Sequence, residues 1–409
     1  MTGAASTRAT FAAEVAGFPL VDPEDGSVLR LDSPHSLAGG EGRWPLVDGI
    51  PFLRVGRDSL RRSALDALDA GDERRALVAL LADQDDFART PPPEAGAIHR
   101  AINDADGGVA TLRDAMANLA FGPVADYFAY RWSAPTYLSG LALLGEHRLE
   151  GAPVVEVACG IGHYLRELAL RDVACVGVDV VFAKLWLARR FVVPESVGLV
   201  CADVAAGWPL GPARGPAVAF CHDAFYFLPN KPGVVASLRR AVGDGGRVLI
   251  GHAHNRRFDH RGVAGEPRSP DEYAAILPGA LMYDDAELAR SAWSGIPASS
   301  RNPAGLADVE AVAMAWSASG RISDPGASAA NRLALELPPA GRALRLNPIL
   351  VDEGGRLRPR WPSSRFEAEY ADASEYLYGE PTPIGPVVDR PEVDRLARRR
   401  ILLDLPGRW

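Results

Sequence analysis

The spacing of apolar residues changes along the chain, and the first 150 residues divide into two parts by this criterion. Residues 1–56 are rich in Gly, Pro and Asp and contain two short β-like stretches, 27–31 and 44–53. From residue 57 to residue 150, Leu and Ala recur at helical spacing, interrupted by a Pro-rich linker at 89–94. The sequence therefore predicts a small ribbon-like segment at 1–56 and a helical segment or lid at 57–150.

Between residues 151 and 255 the pattern becomes one of short apolar runs separated by helical stretches. The predicted strands are 153–158, 174–180, 197–202, 217–221 and 247–252. The predicted helices are 164–171, 183–191 and 231–242. Continuous apolar strands that alternate with helices are typical of an α/β fold, in which helices cover both faces of a parallel sheet. Ligands bind such sheets beyond the carboxyl ends of the strands.

Periodicity weakens in the last part of the chain, residues 256–409. The expected elements there are an insertion or lid at 256–282, a helix at 284–293, a late strand at 309–316 and a hairpin within 343–370 that turns at 352–355. We therefore expect this part to supply an insertion, the remaining core elements and a C-terminal extension.

The composition of the chain argues against some classes of binding partner. The 409 residues are 47% hydrophobic and 23% charged, with a formal net charge of −8, which argues against nucleic acid because binding it requires a basic surface. No apolar run is long enough to span a bilayer, and no signal-peptide pattern is present. The four cysteines form no C-x-x-C pair. We expect a cytoplasmic protein that acts on a small molecule and binds neither nucleic acid nor membrane; the sequence also allows a homodimer.

The run Glu156-Val157-Ala158-Cys159-Gly160-Ile161-Gly162 is a strand that carries an acid and ends in a glycine turn before a helix. Such a turn lets the backbone lie against a nucleotide, with free helix N–H groups at the same place. A P-loop is excluded because no Lys follows the turn. A dinucleotide fingerprint is disfavoured, since its third Gly or Ala position is occupied by Leu165.

The same run resembles motif I of class I S-adenosylmethionine-dependent methyltransferases, with Ala158 in place of the commonest first glycine. The resemblance continues in order through segments 176–179, 201–204, 221–227 and 241–251, about a quarter of the chain. It implies a Rossmann-like sheet and S-adenosylmethionine as cofactor. The resemblance implies cofactor-binding roles for Glu156, Ala158, Gly160, Gly162, Asp179 on the ribose, Asp203 and Val204 near the adenine, and His222. Tyr130 is added because its position upstream of the glycine turn suits contact with the cofactor.

A second resemblance concerns the N-terminal segment. Residues 44–53 look like the closing hairpin of small Trm112-like zinc-ribbon domains, which often carry Cys pairs. Segment 1–56 has no cysteine, so we expect a degenerate ribbon without its metal.

Three histidines follow the fourth and fifth predicted strands, where the sheet places a substrate: His222, His252 and His254. Methyl transfer to a hydroxyl requires a base that removes the proton, and His suits this at neutral pH. We favour His222 or His254 as the base, with Asp223 beside it; a purely structural role is an equal alternative for each. His252 and His254 could also bind a metal with Asp259 and His260, but no further ligand spacing supports this, so no metal is expected.

Two other functions remain as alternatives. A non-catalytic scaffold that keeps the S-adenosylmethionine fold is opposed by the intact acids Glu156, Asp179 and Asp203. An NAD(P)-dependent oxidoreductase is opposed by Leu165. The favoured function is transfer of a methyl group to oxygen or nitrogen of a small biosynthetic metabolite.

Overall fold

The computed structural model describes residues 13–84, 90–258, 260, 264–320, 322, 342–378, 382–383 and 390–409. The strands are β1 (Glu14–Val15), β2 (Phe18–Pro19), β3 (Arg30–Ser33), β4 (Ser36–Gly39), β5 (Gly42–Val47), β6 (Ile50–Pro51), β7 (Val154–Val157), β8 (Cys175–Asp179), β9 (Gly198–Cys201), β10 (Val218–His222), β11 (Arg247–His254), β12 (Leu281–Asp284), β13 (Ala311–Ser317), β14 (Arg345–Leu346), β15 (Leu350–Asp352), β16 (Arg356–Pro359), β17 (Thr382–Pro383) and β18 (Leu402–Leu403).

The helices are α1 (Asp58–Asp69), α2 (Glu73–Leu81), α3 (Ala95–Asp106), α4 (Leu112–Asn118), α5 (Val124–Tyr130), α6 (Pro135–His147), α7 (His163–Ala169), α8 (Phe182–Leu187), α9 (Lys231–Ala241), α10 (Pro270–Ile276), α11 (Asp285–Ser294), α12 (Ser364–Tyr370), α13 (Glu375–Tyr378) and α14 (Arg390–Arg398). Among the helices described, none combines the length and the apolar character needed to cross a lipid bilayer.

A mostly parallel sheet forms the centre of the described structure, with seven strands in the order β12-β13-β11-β10-β7-β8-β9. Strands β7 to β11 run parallel to their neighbours, whereas β13 pairs antiparallel with both β11 and β12. Adjacent residues of β7 face opposite sides, and Val154 and Val155 belong to different apolar clusters. Both faces of the sheet are therefore covered, which confirms the predicted Rossmann-like α/β fold.

The strand order reverses between β7 and β10, because the chain continues from β7 to β8 on one side and later returns to β10 on the other. A crevice forms beyond the carboxyl ends of the strands at such a reversal, and ligands of open α/β sheets bind there. The glycine turn after β7 and the His222–Asp223 pair at the end of β10 flank this position.

The N-terminal residues form a small antiparallel sheet, β3-β4-β5-β6. It lies against the edge of the central sheet, since the amide of Leu53 donates to the carbonyl of Cys201 in β9 over 2.7 Å. A bridge between Phe52 and Cys201 continues this contact. The predicted ribbon segment thus covers the unpaired groups of edge strand β9, which an exposed edge would leave open to other chains.

Two elements between residues 270 and 284 were not expected from the sequence. Helix α10 and strand β12 replace part of the predicted insertion, and β12 is the edge strand of the central sheet. Ser269 and Glu272 form a capping box with Pro270 at the first helical position, a start signal that the irregular composition concealed. The predicted late strand and C-terminal hairpin are present as β13 and β15–β16. The division of the chain at residues 56, 150 and 255 stays a prediction.

Candidate functional site

A cavity of about 780 Å³ opens at the carboxyl ends of β7, β8 and β10. Its roof includes Tyr127 and Phe128 of α5, the stretch 264–266, and Phe366 and Tyr370 of α12. The predicted site residues that line it are Glu156, Ala158, Gly160, Asp179, Asp203, Val204, His222, Asp223 and His254. The structure thus brings residues from several strand ends into one cavity.

Two predicted cofactor residues do not line the cavity. Gly162 precedes α7 as its N-cap residue, with φ of 80°. A Cβ at this position would lie 2.9 Å from Cγ1 of Val193, so the glycine is required for packing. Tyr130 is buried and its ring packs edge-on against Phe366 and Trp409. Tyr127 and Phe128, on the same helix, line the cavity instead.

The turn after β7 has left-handed backbone at Ala158, with φ of 54°, and at Gly160, with φ of 56°. The Gly160 amide donates a 2.9 Å hydrogen bond to Oδ2 of Asp179. A Cβ on Gly160 would lie 2.9 Å from Cε1 of Phe128. The glycine therefore allows the turn to pass beneath the aromatic roof while it remains tied to β8.

Asp179 is buried at the end of β8, where Oδ1 accepts from the amide of Val181 over 2.9 Å. The ammonium group of Lys184 lies 3.7 Å from the same oxygen. Each carboxylate oxygen can accept more than one hydrogen bond, so Asp179 retains acceptor capacity toward the cavity that it lines. This is the chemistry needed to bind a pair of hydroxyl groups.

Glu156 is the buried acid of β7, and its Oε2 has no hydrogen-bond partner among the described residues. Burial, and then the nearby Asp179 carboxylate, raise the pKa of Glu156 well above its ordinary value. A donor or a cationic group in the cavity would satisfy this oxygen and stabilise the carboxylate.

Leu165 occupies the helix position where a dinucleotide-binding turn has a small residue. A Cβ on Gly177 of β8 would lie only 2.4 Å from Cδ1 of Leu165. The space between helix and sheet is thus provided by a glycine on the strand, and the leucine fills it. This packing explains how the fold accommodates a leucine at a position where a dinucleotide-binding turn has Gly or Ala.

Asp223, His252 and His254 form a compact group on the other side of the cavity, which we call the acid–histidine cluster. Asp223 follows β10 with φ of 54°, an uncommon conformation for a residue other than glycine. Its carboxylate accepts from the hydroxyls of Tyr127, over 2.9 Å, and Tyr226, over 3.0 Å.

The guanidinium of Arg131 pairs with the Asp223 carboxylate at 3.1 Å. Burial alone would raise the pKa of Asp223, but Arg131 and the neighbouring histidines outweigh it and hold the pKa below its ordinary value. Asp223 is therefore a carboxylate at neutral pH.

His252 lies at an irregularity of β11, where the pairing register with β13 shifts and φ reaches 48°. Its Nδ1 is 2.7 Å from Oδ2 of Asp285, and its amide donates to the other oxygen of that carboxylate. Burial would lower the pKa of His252, but Asp285 and Asp223 raise it to about 9. Bulges of this kind re-aim a side chain next to functional sites.

His254 is enclosed by two parallel rings, those of Tyr226 at 3.8 Å and His260 at 4.0 Å between centroids. Its Nδ1 is buried and has no hydrogen-bond partner in the part of the chain that the structure describes. Burial and the neighbouring His252 lower the pKa of His254 to about 3. His254 is therefore a neutral imidazole with an uncommitted nitrogen.

His222 has partners on both ring nitrogens. Ser139 lies 3.2 Å from Nε2, and the Arg131 guanidinium lies 3.3 Å from Nδ1, as does the Tyr164 hydroxyl. Because arginine only donates, Nδ1 is the acceptor and Nε2 carries the proton. Burial lowers the pKa of His222 to about 3.

Sequence reasoning did not place Tyr127, Arg131 or Asp285 in the site, and it did not choose His252 among the histidines. Tyr127 and Arg131 come from the helical segment that precedes the sheet, and Asp285 begins helix α11. A pair of acids at a predicted helix start is normally a cap, so no local signal distinguished Asp285. Asp259 lies outside the described residues.

Comparisons with known proteins identify a domain within the chain and several similar solved structures. Residues 155–250 match the family model for a methyltransferase domain. Similar solved structures include a Bacillus halodurans protein designated a methyltransferase, at 23% identity over 35% of this chain and 70% of that chain, with a TM-score of 0.31. An S-adenosylmethionine-dependent methyltransferase of Thiobacillus denitrificans, solved with S-adenosylhomocysteine, aligns at 27% identity over 31% of this chain and 52% of that chain, with a TM-score of 0.25.

A third similar structure is a chain from the complex between the Haloferax volcanii Trm112 methyltransferase activator and a methyltransferase. It aligns at 20% identity over 41% of this chain and 74% of that chain, with a TM-score of 0.32. The curated proteins contain no match to this chain.

Proposed function

Because the chain carries a class I S-adenosylmethionine-dependent methyltransferase domain at residues 155–250, with S-adenosylmethionine as its cofactor, we propose that the protein methylates a small-molecule metabolite. The observation that carries the proposal is the single roofed cavity that contains both the glycine turn and the acid–histidine cluster. Its volume of about 780 Å³ lies within the roughly 300–1,000 Å³ range of small-molecule sites.

The cofactor side of the cavity is the crevice beside β7 and β8. Asp179 has acceptor capacity for two hydroxyls, and the unpartnered Oε2 of Glu156 supports a role opposite a positively charged group. The Gly160 turn passes directly beneath Phe128, and both residues line the cavity. We assign this side to S-adenosylmethionine.

The acid–histidine cluster is assigned to the acceptor. A lone pair of the acceptor oxygen or nitrogen forms the new bond to the methyl carbon while the carbon–sulfur bond breaks, and its electrons return to sulfur. The acceptor's proton leaves to a basic group of the cavity or to water. Alignment of the two reactants can contribute roughly 7–11 kcal/mol to lowering the barrier.

Small acceptors are favoured over macromolecules by the roof. Residues of α5, the 264–266 stretch and α12 close over the strand ends, and the formal net charge of −8 gives no attraction for nucleic acid.

Calorimetry with S-adenosylhomocysteine, NAD and NADP tests the cofactor side. We expect binding of S-adenosylhomocysteine alone, weakened at least tenfold in Asp179→Ala and unchanged in Asp66→Ala, which removes an exposed acid on α1. Binding of none of the three ligands would favour the scaffold alternative. Unchanged affinity in Asp179→Ala would refute the ribose assignment.

The acceptor class is tested by incubating the protein with methyl-labelled S-adenosylmethionine and a cell extract, then separating products by size. The label is expected in the low-mass fraction. Label recovered in RNA or protein would overturn the small-molecule proposal while leaving the methyltransferase activity in place.

A further inference from the structure

The acid–histidine cluster has the composition of a metal site. One ligand atom from each of Asp223, His252 and His254 lies within 4.8 Å of the other two. Two imidazoles and one carboxylate are a donor set that suits divalent ions such as Fe²⁺, Mn²⁺, Co²⁺ and Zn²⁺. The sequence did not indicate this set, because the third ligand comes from the end of a different strand, β10.

Asp285 gives His252 the orientation of a metal ligand. Its carboxylate engages Nδ1 of His252 at 2.7 Å, which leaves Nε2 directed toward Asp223, at 4.0 Å from Oδ1. Metal-binding histidines usually donate their second ring N–H to a carboxylate in this way, and the partner fixes the tautomer and ring position. Asp223 is held as well, by Tyr127, Tyr226 and Arg131.

His254 supplies an independent observation. Its side chain is about nine-tenths buried, with 7% of the residue exposed, and Nδ1 has no partner among the described residues. A buried imidazole nitrogen without a partner is unfavourable unless something satisfies it. A cation in the cluster would remove that penalty.

The charges permit an added cation. Asp223 and Asp285 carry two negative charges in contact with His252, and Arg131 supplies one positive charge. A bound ion takes the place of the proton on His252, and the carboxylates of Asp223 and Asp285 then offset its charge. We propose that Asp223, His252 and His254 bind a divalent first-row transition-metal ion.

Binding requires a small closure of the cluster. Bonds of about 2.0–2.2 Å to nitrogen and oxygen place neighbouring ligand atoms roughly 3–3.5 Å apart. The atoms of the cluster lie within 4.8 Å of one another, so movements of about 1–2 Å complete the site. Side-chain rotation of His254, whose Nδ1 is uncommitted, can supply most of this movement.

The ion defines a class of acceptor, an inference that rests on the proposed methyl transfer. Three protein ligands leave open positions on the ion, and these face the cavity that all three residues line. An acceptor with a hydroxyl beside a second oxygen can bind through both atoms. Bound to the ion, the hydroxyl would have a lowered pKa and would lose its proton to water. Its oxygen would form the new bond to the methyl carbon while the carbon–sulfur bond of S-adenosylmethionine breaks and its electrons return to sulfur.

The test uses the full chain after removal of metals with a chelator. Isothermal titration calorimetry with Co²⁺ and with Zn²⁺ should give one ion per chain, and Co²⁺ should add visible absorption bands of a nitrogen–oxygen site. His252→Ala and His254→Ala should each weaken binding at least tenfold, and Asp285→Asn by about 10- to 100-fold. His99→Ala, an exposed histidine of α3, is the matched control and should bind as the unmodified chain does.

Affinity for S-adenosylhomocysteine, measured on every variant, shows whether the fold is intact. Absence of ion binding, or binding that survives both histidine substitutions, overturns the metal proposal. A chain that binds S-adenosylhomocysteine and transfers methyl groups without any ion would leave the proposed function standing. A chain that binds the ion but no S-adenosylhomocysteine would refute the proposed function and leave the metal site supported.

Discussion

Nδ1 of His252 lies 2.7 Å from Oδ2 of Asp285, and the amide of His252 donates to the other oxygen of the same carboxylate. One acid thus holds both the ring and the backbone of a residue whose φ is 48°. In the presence of a chelator, Asp285→Asn should lower the pKa of His252 from about 9 by at least one unit, because its main stabilising charge is lost. Titration of the imidazole resonances by NMR measures this.

Asp284→Asn is the matched control for this prediction. Asp284 precedes Asp285 and caps α11 by accepting from the amide of Ala286, without a bond to His252. A similar fall of the His252 pKa in both variants would mean that the effect comes from helix α11 in general and not from the Asp285 contact.

Much of the central sheet could be predicted because each strand from β7 to β11 is a short apolar run beside a helix. Strand β12 could not, since its four residues follow a stretch rich in Gly, Pro and Arg, and it forms by pairing with β13, which is distant in sequence. Whether such a segment forms a strand depends more on contacts with residues distant in sequence than on its local propensity.

The residues of the candidate site also include some that could be predicted from the sequence and some that could not. Glu156, Gly160 and Asp179 could be predicted from the resemblance to the methyltransferase motifs, and the structure places all three in the cavity, while their binding roles stay predictions. Asp285 could not, because it is 33 residues from His252 in sequence and approaches it only through packing of α11. Residues that helices bring to a site leave no spacing signal along the chain.

The contact between Leu165 and Gly177 makes a prediction about stability. Gly177→Ala should destabilise the protein by about 1–3 kcal/mol, because the new methyl group would overlap Cδ1 of Leu165 at 2.4 Å and Sγ of Cys159 at 2.6 Å. Leu165→Ala should cost about 2–5 kcal/mol through the cavity it leaves. The double variant should lose less than the sum by at least about 1 kcal/mol, measured by urea unfolding.

Gly215→Ala is the control for this cycle, since a methyl group there would meet nothing within 4 Å. Its effect should stay within about 0.5 kcal/mol. Strict additivity of the two core substitutions would show that Leu165 does not occupy the space above Gly177.

His163 should make the stability of the protein sensitive to acid. Its Nε2 donates to the carbonyl of Phe128 over 2.9 Å, and burial lowers its pKa to about 3. The folded state therefore binds this proton less readily than the unfolded chain, whose histidine pKa is about 6.5. The contribution of His163 is fully present above pH 6.5 and is lost as the pH falls toward 3, by up to about 2 kcal/mol between pH 7 and pH 5.

Urea unfolding at pH 7 and pH 5 measures the effect. In His163→Gln the free energy of unfolding should fall less between pH 7 and pH 5 than in the unmodified chain, by up to about 2 kcal/mol. His99→Gln removes an exposed histidine and should leave the pH dependence as it was. An equal acid loss in all three proteins would contradict a buried, neutral His163.

Ala158 tests whether the turn before α7 is strained. An L-residue in left-handed backbone is disfavoured by about 1–2 kcal/mol, and glycine escapes this but loses about 0.5–1 kcal/mol in conformational entropy. With φ of 54° at Ala158, Ala158→Gly should leave the free energy of unfolding unchanged or raise it by up to about 1 kcal/mol. Ala236→Gly, at an exposed position inside α9, should instead lower it by about 1 kcal/mol. An equal fall in the free energy of unfolding in both variants would show that Ala158 is unstrained. Alanine in place of the usual first glycine would then cost this turn nothing.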